Sequence, residues 1–565
     1  MGNMTNKKIS SLLMVLIAAF SLGVAKNQGV KAADTDSSSS ESSSSSDSSV
    51  NKLTSVPLST KIIGTRRYSV YKSLKQSQTK VKKNVTTKKG KKKQTKVKYV
   101  KSYTWKFGKK ICSSTDFKYA HVQSRSYKKI GNTRYYYIYV DGRGVGYLNE
   151  KAFALSKISL AKSVSLVNNS TDTKGFDTRD AINYVTDSHG SVVDNNDVNV
   201  SKDRIFETTP GSYKIVYSYG SNSDTCQITV RSDANEGVSN AGITPADENL
   251  PDLKTWFASE KTDSDYSAQD NGHTYYGTDK SDDEKAAELS TTFYEPNQLS
   301  LFDGSDETRV LTNVQGLDLY DNDVVTTNFS SNSSVDGAKG HIILYDLNHI
   351  SKTALQYIPT KSLGFNTWLT YVKNIKISPY FKLGHGQSVG STKDYVYEIA
   401  NWNHGGNLSR SDELLQINKK TLKIEHIWTF KVWNTSSKYP RFFLNADMID
   451  DNTIIALFHN ASRKRYEYWK ITRDGDNFTA SEIAATGSNL VSNSSQVQGF
   501  TYNVAHNCYY IAFNDYIFKM DDTGKVVNYY KFDINREIEG LSSYKDTVYV
   551  GLNKRAEMLS AVNLK

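Results

Sequence analysis

Residues 314–329 read VQGLDLYDNDVVTTNF, and the same outline returns at 497–513 as VQGFTYNVAHNCYYIAF and at 537–552 as EIEGLSSYKDTVYVGL. Each copy opens with a short polar-small phrase, turns through Asp, Asn, Gly or Ser, and continues as a β-run. Two further copies, GHGQSVGSTKDYVYEIAN at 384–401 and LNADMIDDNTIIALFHN at 444–460, bring the number to five. Behind each comes another strand-like run: HIILYDL, ELLQINKK, YEYWKIT, YIFKMDD and MLSAVNL. Short strands repeating at about 40–70 residues are the pattern of a β-propeller, so residues 291–565 are expected to form one, with five blades. NQLSLF (297–302) or ETRVLTNV (307–314) is expected to complete the last blade and close the ring.

The phrase itself assigns the innermost strand of each blade. Gly316, Gly386, Ala446, Gly499 and Gly540 hold the small position, where blades crowd at the axis. The residues just before them, Gln315, His385, Asn445, Gln498 and Glu539, are expected to converge at one mouth of the central channel. There they either bind a ligand or bond neighbouring blades and channel water. Asp318 and Asp447 read as turn or outer residues. Glycoside cleavage needs two acids at a fixed separation, and only Glu539 occupies the polar position. No nucleophile elbow, P-loop or HExxH motif is present. His341, His385, His404, His459 and His506 lack regular ligand spacing, and Trp402, Trp428, Trp433 and Trp469 read as blade core. The protein is therefore expected to be no enzyme and to use no metal and no cofactor.

Upstream of the repeat the chain changes character several times. Tyrosine supplies 37 residues and aromatics 12% of the chain, which favours strands throughout. Lys7 and Lys8, the apolar run LLMVLIAAF (12–20) and GVKAAD (29–34) have the layout of a secretory leader, 1–33. A polar spacer follows at 34–57, holding DSSSSESSSSSDSSV. The mature protein is expected to be secreted, or held non-covalently at the cell surface, and monomeric. Cys112, Cys226 and Cys508 are few and far apart, which argues against a disulfide framework.

Residues 61–130 hold 23 Lys and Arg against one acid, Asp116, while the whole chain is only +12. The densest part, KVKKNVTTKKGKKKQTKVKYVK at 80–101, seeks polyanions. Lys88, Lys89, Lys91, Lys92, Lys93, Lys96 and Lys98 are the expected contacts, together with Tyr147. For an exported Gram-positive protein the partners would be teichoic acids or surface glycans at the envelope, and not nucleic acid.

TRYYYIYVDGRGVGYLNEKAF at 133–153 is a hairpin signal turning at Asp141-Gly142. It resembles the last hairpin of GW-type wall-binding modules, which are small SH3-like barrels, with Tyr147 standing where their Trp would be. That resemblance places a basic module at 58–156. GSYKIVYSYG (211–220) and TCQITV (225–230) resemble the closing hairpin of bacterial immunoglobulin-like domains, implying a β-sandwich spacer at 157–232. Residues 233–290 read as an acidic linker with one short helix near 283–289. The C-terminal half, through Gln315-Gly316 with DLYDND, His385-Gly386 and Glu539-Gly540, resembles the helveticin J family of large bacteriocins from lactobacilli. Membership would imply a secreted antibacterial protein acting on envelopes of related bacteria. A non-lethal surface adhesin or lectin built from the same parts is the alternative. The fold expected is all-β and multidomain: a small SH3-like barrel, an Ig-like β-sandwich and a β-propeller.

Overall fold

The computed structural model describes residues 53–89, 92–140, 142–232, 243–248, 250–256, 272–278, 285–295, 314–329, 339–350, 363–400, 411–434, 437–493, 495–553 and 556–564. Residues 1–33, expected to be a leader, and most of the expected polar spacer lie outside them. The described chain is all-β and multidomain, with one α-helix, Phe365–Asn374.

Five antiparallel meanders form the C-terminal body. The first is Val314–Tyr320, Asp323–Phe329, Lys339–Asp346 and Ile375–Ile377; the second is Val389–Ser391, Tyr395–Ile399, Asp412–Asn418 and Lys423–Phe430. The third is Asn445–Asp450, Thr453–Asn460, Arg465–Asp474 and Asn477–Ala485; the fourth is Gly499–Asn503, Cys508–Ala512, Tyr516–Met520 and Val526–Phe532. The fifth contains Ile538–Tyr544, Thr547–Leu552 and Glu557–Val562. Their first strands touch in cyclic order, first to second to third to fourth to fifth and back to first, so the meanders are blades around an axis. Close approach there needs glycine. A Cβ on Gly316 would stand 2.3 Å from the Gly386 carbonyl oxygen. Gly540 has φ +128, and a Cβ on it would stand 2.7 Å from the Leu317 nitrogen.

The ring closes with a segment read as linker. Lys285–Tyr294 is a strand, not a helix, and it pairs with Glu557–Val562 from Glu288↔Val562 to Tyr294↔Glu557. Ala287, Leu289 and Phe293 are buried at strand period while the residues between them are only half-buried. A neighbouring strand, Thr274–Thr278, bonds both to this strand and to the outer strand of the fourth blade at Gly277↔Phe532. NQLSLF, and ETRVLTNV up to Val314, lie outside the described residues.

Three blades share a buried ion pair that ties the connector entering the blade to its third strand. Lys382 Nζ meets Glu413 at 2.8 Å, Arg441 Nε meets Glu467 at 2.8 Å, and Arg536 pairs with Glu557. All six side chains are nearly or wholly inaccessible. Each pair also collects hydrogen bonds, such as Asn460 to Glu467 at 2.6 Å, which offset the cost of desolvating the charges.

The Ig-like domain is not a detached spacer. Ser163–Leu166 pairs in parallel with Asn222–Val230 on one side and with Lys423–Phe430 of the second blade on the other. One eight-stranded sheet therefore runs from the Ig-like sandwich into the propeller. Val164, Ile215 and Ile228 share a continuous apolar core with Leu415, Ile424 and Ile427. Asn183 seals the seam by donating to the Ile424 carbonyl at 3.0 Å and accepting from the Ile424 N–H at 2.7 Å.

The N-terminal module is a six-stranded sheet in the order Thr54–Lys61, Val122–Ile130, Thr133–Val140, Arg143–Asn149, Ser69–Tyr71, Lys110–Ser113. The expected hairpin forms, with Val140↔Arg143 flanking the turn and Gly142 at φ +66; Asp141 lies outside the described residues. The module also packs on the first blade. The helix presents Trp368 and Val372, four residues apart, into the core holding Val70, Phe117 and Leu148. Arg143 covers the Trp368 ring at 5.0 Å, and Lys373 pairs with Asp116 at 3.2 Å.

Between Tyr71 and Lys110 the chain leaves this sheet as a two-stranded ribbon. Leu74–Lys89 pairs with Lys92–Phe107 without a register break, from Leu74↔Phe107 to Lys89↔Lys92. Strands of 16 residues extend about 50 Å at the usual strand rise. The basic run thus forms a projecting arm rather than part of a compact barrel.

Candidate functional site

Each inner strand delivers its opening residue toward the axis, and three of the five expected polar residues meet there. Gln315 Nε2 donates to Glu539 Oε1 at 3.4 Å. Gln498 joins them through Gln387, whose Nε2 donates to Gln498 Oε1 at 3.2 Å and to Glu539 Oε2 at 3.4 Å. Gln498 Nε2 then donates to Glu537 at 3.1 Å. The second blade therefore contributes Gln387, not His385. Gly384 and Gly386 both take positive φ, +65 and +84, and this turn delays the strand until Val389. Gly386 still sits at the axis, where its carbonyl accepts from Thr327 Oγ1. His385 is half-buried outside the network, and burial lowers its pKa to about 4, so the ring is neutral. Asn445 is buried and also outside the network, with its amide oxygen unpaired. Gly499, like Gly316 and Gly540, lies where a side chain would strike the next blade: its Cβ would be 2.9 Å from the Leu541 nitrogen.

Asp318 and Asp447 are not outer turn residues. Asp318 accepts from the Ser391 N–H at 2.5 Å and from Ser542 Oγ at 2.6 Å, linking the first blade to the second and fifth. Asp447 accepts from Thr501 Oγ1 at 2.7 Å and the Tyr502 N–H at 2.9 Å, linking the third blade to the fourth. Burial, then the nearby Asp318 charge, raises the Asp447 pKa to about 7. Burial also raises Asp318, against the opposing pull of its hydroxyl and backbone donors. These bonds use the carboxylates as staples between blades.

The remaining expected residues scatter. Trp428 and Trp469 are buried core, Trp428 donating to Asp476 at 2.8 Å, and Trp433 is half-buried. Trp402 and His404 lie outside the described residues. His459 stacks on Tyr466 at 4.6 Å, His506 reaches Asp546 at 3.4 Å, and His341 faces His121 across the module–propeller seam at 6.1 Å. Among the described residues no three His, Cys, Asp or Glu gather as a metal site.

The ribbon is the second candidate surface. Its two strands carry six lysines each and no acidic residue. Lys93, Lys96 and Lys98 are exposed on the returning strand. Lys88, Lys89 and Lys92 lie beside the tip, and Lys91 lies outside the described residues. Tyr147 is different: it is only 9% exposed, beneath Lys128 at 5.0 Å and against Tyr137 at 5.1 Å. The accessible rings are its neighbours. Tyr99 is 60% exposed and Tyr103 and Phe107 are exposed on the ribbon, while Tyr135, Tyr137 and Tyr139 are half-exposed on the sheet. Alternate tyrosines in YYYIY were the sequence signal for that face.

Residues 175–230 match the bacterial Ig-like domain (group 3). No curated protein matches the chain. Among solved structures, the Myxococcus xanthus glutaminyl cyclase is similar at 10% identity over 44% of this chain and 90% of that one, TM-score 0.26. Virginiamycin B lyase from Staphylococcus aureus is similar at 15% identity over 44% and 69%, TM-score 0.22. BamB from Moraxella catarrhalis is similar at 7% over 54% and 96%, TM-score 0.22. Likenesses of that size assign no activity or ligand, and the propeller rests on the cyclic contact of the inner strands.

Proposed function

We propose that this is a secreted, envelope-associated binding protein with helveticin J-like antibacterial action and no catalytic step. The lysine ribbon holds anionic wall polymers such as teichoic acids, and the propeller presents its polar mouth to the target cell. The observation that carries this reading is the ribbon: a two-stranded arm whose sequence holds twelve lysines and no acid. The antibacterial part rests on the resemblance of the inner phrases to the helveticin J family. The test is to add the protein from Ala33 onward to a panel of related Gram-positive bacteria, recording survivors and optical density. Loss of viability without falling density supports this reading. Falling density with killing indicates wall hydrolysis instead and overturns the non-catalytic part.

The mouth favours a second reading. Gln387 and Gln498, half-buried and backed by buried Gln315 and Glu539, carry amide groups suited to sugar hydroxyls. Binding across the panel without killing would identify a non-lethal adhesin or lectin.

A further inference from the structure

We propose that the ribbon and the sheet face at its root form one continuous track for a linear acidic polysaccharide, whose sugar rings stack on the aromatic side chains while its carboxylates meet lysines. This deepens the envelope-binding reading and rests on it.

A strand places every second residue on one face. On the returning strand that face reads Val97, Tyr99, Lys101, Tyr103, Trp105, Phe107. The register sets Asn84, Lys82, Lys80, Gln78, Gln76 and Leu74 opposite them. Aromatic rings, amides and lysines thus share one side, with successive positions about 7 Å apart. Val97 and Tyr99 are 58% and 60% exposed, a large apolar exposure for a two-stranded arm that needs only solvation. Lys82 Nζ already stands 5.9 Å from the Tyr99 ring.

The stripe does not stop at the root. Phe107 packs on Tyr71 at 4.8 Å and on Tyr135 at 5.4 Å. From Tyr135 the outward face of Thr133–Val140 continues through Tyr137 and Tyr139, whose rings touch at 5.2 Å. Gly144 makes this possible: a Cβ there would lie 2.9 Å from the Tyr137 hydroxyl oxygen and 3.0 Å from its ring. Arg125, over Tyr139 at 5.2 Å, and Lys128 add cations beside these rings.

One feature favours a sugar polymer over nucleic acid or a bare phosphate chain. Exposed neutral amides stand on the same face as the rings, Gln78 opposite Tyr103 and Asn84 opposite Val97, and these suit hydroxyl-rich partners.

The test titrates the mature protein with hyaluronan, inorganic polyphosphate and single-stranded oligothymidylate, at about 0.15 M salt and again at several times that. It compares wild type with Tyr99→Thr/Tyr103→Thr/Trp105→Thr. The expected result is hyaluronan binding that survives the higher salt and weakens at least about tenfold in the triple variant, with polyphosphate binding unchanged by it. A second variant, Lys75→Gln/Lys83→Gln/Lys98→Gln/Lys106→Gln, alters the opposite face. It should weaken every polyanion while leaving the preference for rings. Equal loss of hyaluronan and polyphosphate at high salt, with no effect of the ring substitutions, overturns the track and leaves a charge-only tether. Tighter binding of oligothymidylate than hyaluronan also overturns it. Failure of all three probes to bind removes the tether as well.

Discussion

Glu467 has no exposed surface, yet it accepts from Arg441 at 2.8 Å, Arg465 at 3.1 Å, Asn460 at 2.6 Å and the Trp469 indole at 3.4 Å. Arg441 holds its pKa low despite burial, which alone would raise it. Glu467→Ala would remove the carboxylate shared by two buried guanidinium groups, Arg465 keeping Glu482 at 2.7 Å, so it should lower unfolding free energy by about 3–5 kcal/mol. Asp203→Ala, which frees Arg179 from an exposed partner, should cost below about 1 kcal/mol. Denaturant midpoints followed by tryptophan fluorescence compare the two; equal effects would mean the Glu467 network is not what holds the third blade. The seam between module and propeller is acid-sensitive for a related reason. Burial lowers His121 to about 3 and His341 to about 4, from an ordinary 6.5. The unfolded chain therefore binds protons that the folded one refuses as pH drops below 6.5. Their stabilising contribution is complete above that pH and is lost as pH falls toward 4. His121→Gln/His341→Gln should flatten melting temperature between those limits, measured as thermal midpoint against pH.

At the scale of elements, the ribbon separates from the fold more cleanly than the module does. Its strands pair with each other, the sheet reaching its backbone at the root where Lys128 donates to the Leu74 carbonyl at 2.9 Å, and most of its described side chains are exposed. Replacing residues 76–105 by Asn-Gly should abolish binding to anionic polymers and leave the melting temperature within about 2–4 °C of wild type. Removing 61–155 instead would uncover Trp368 and Val372 and lower the midpoint sharply. Circular dichroism melts alongside a cell-wall sedimentation assay distinguish these outcomes. How much of this was readable in the sequence follows the range of each interaction. Gln315-Gly316, Gln498-Gly499 and Glu539-Gly540 were legible because the crowding that demands glycine sits beside the polar residue it positions. His385 misled because two positive-φ glycines shift the strand start, so Gln387 takes the axial place. The stretch KAAEL favours helix locally, but pairing with Glu557–Val562 decides it, and no local pattern reports a partner at the other end of the chain. The Lys382, Arg441 and Arg536 pairs had a faint signal, a basic residue shortly before each inner phrase, meaningful only once the blades are in register.

The whole molecule is less modular than its segments suggest, because the chain's linear order is not its order in space. The fifth blade is completed by Lys285–Tyr294, and the second blade is extended by Ser163–Leu166, so upstream segments finish two sheets of the propeller. The Ig-like seam buries polar groups that must stay paired. Thr429 Oγ1 donates to Glu207 at 2.6 Å, Lys431 donates to Asn169 at 2.9 Å, and Arg231 donates to the Thr429 carbonyl at 2.8 Å. A chain beginning at residue 243 would leave Ile424, Ile427 and Thr429 facing water and would open a free strand edge on the second blade. Calorimetry of the chain from Ala33 onward should therefore show the Ig-like domain and propeller unfolding in one transition, and the shortened chain should melt lower and aggregate. Asn183→Ala, which breaks both bonds to Ile424, gives the finer version: about 1–3 kcal/mol lost from that joint transition. Two separate transitions in the intact protein, with the shortened chain melting at the upper one, would show that the shared sheet does not couple the two domains. The distinction bears on function, because the module packed on the first blade and the Ig-like domain joined to the second together hold the ribbon and the propeller mouth in one frame.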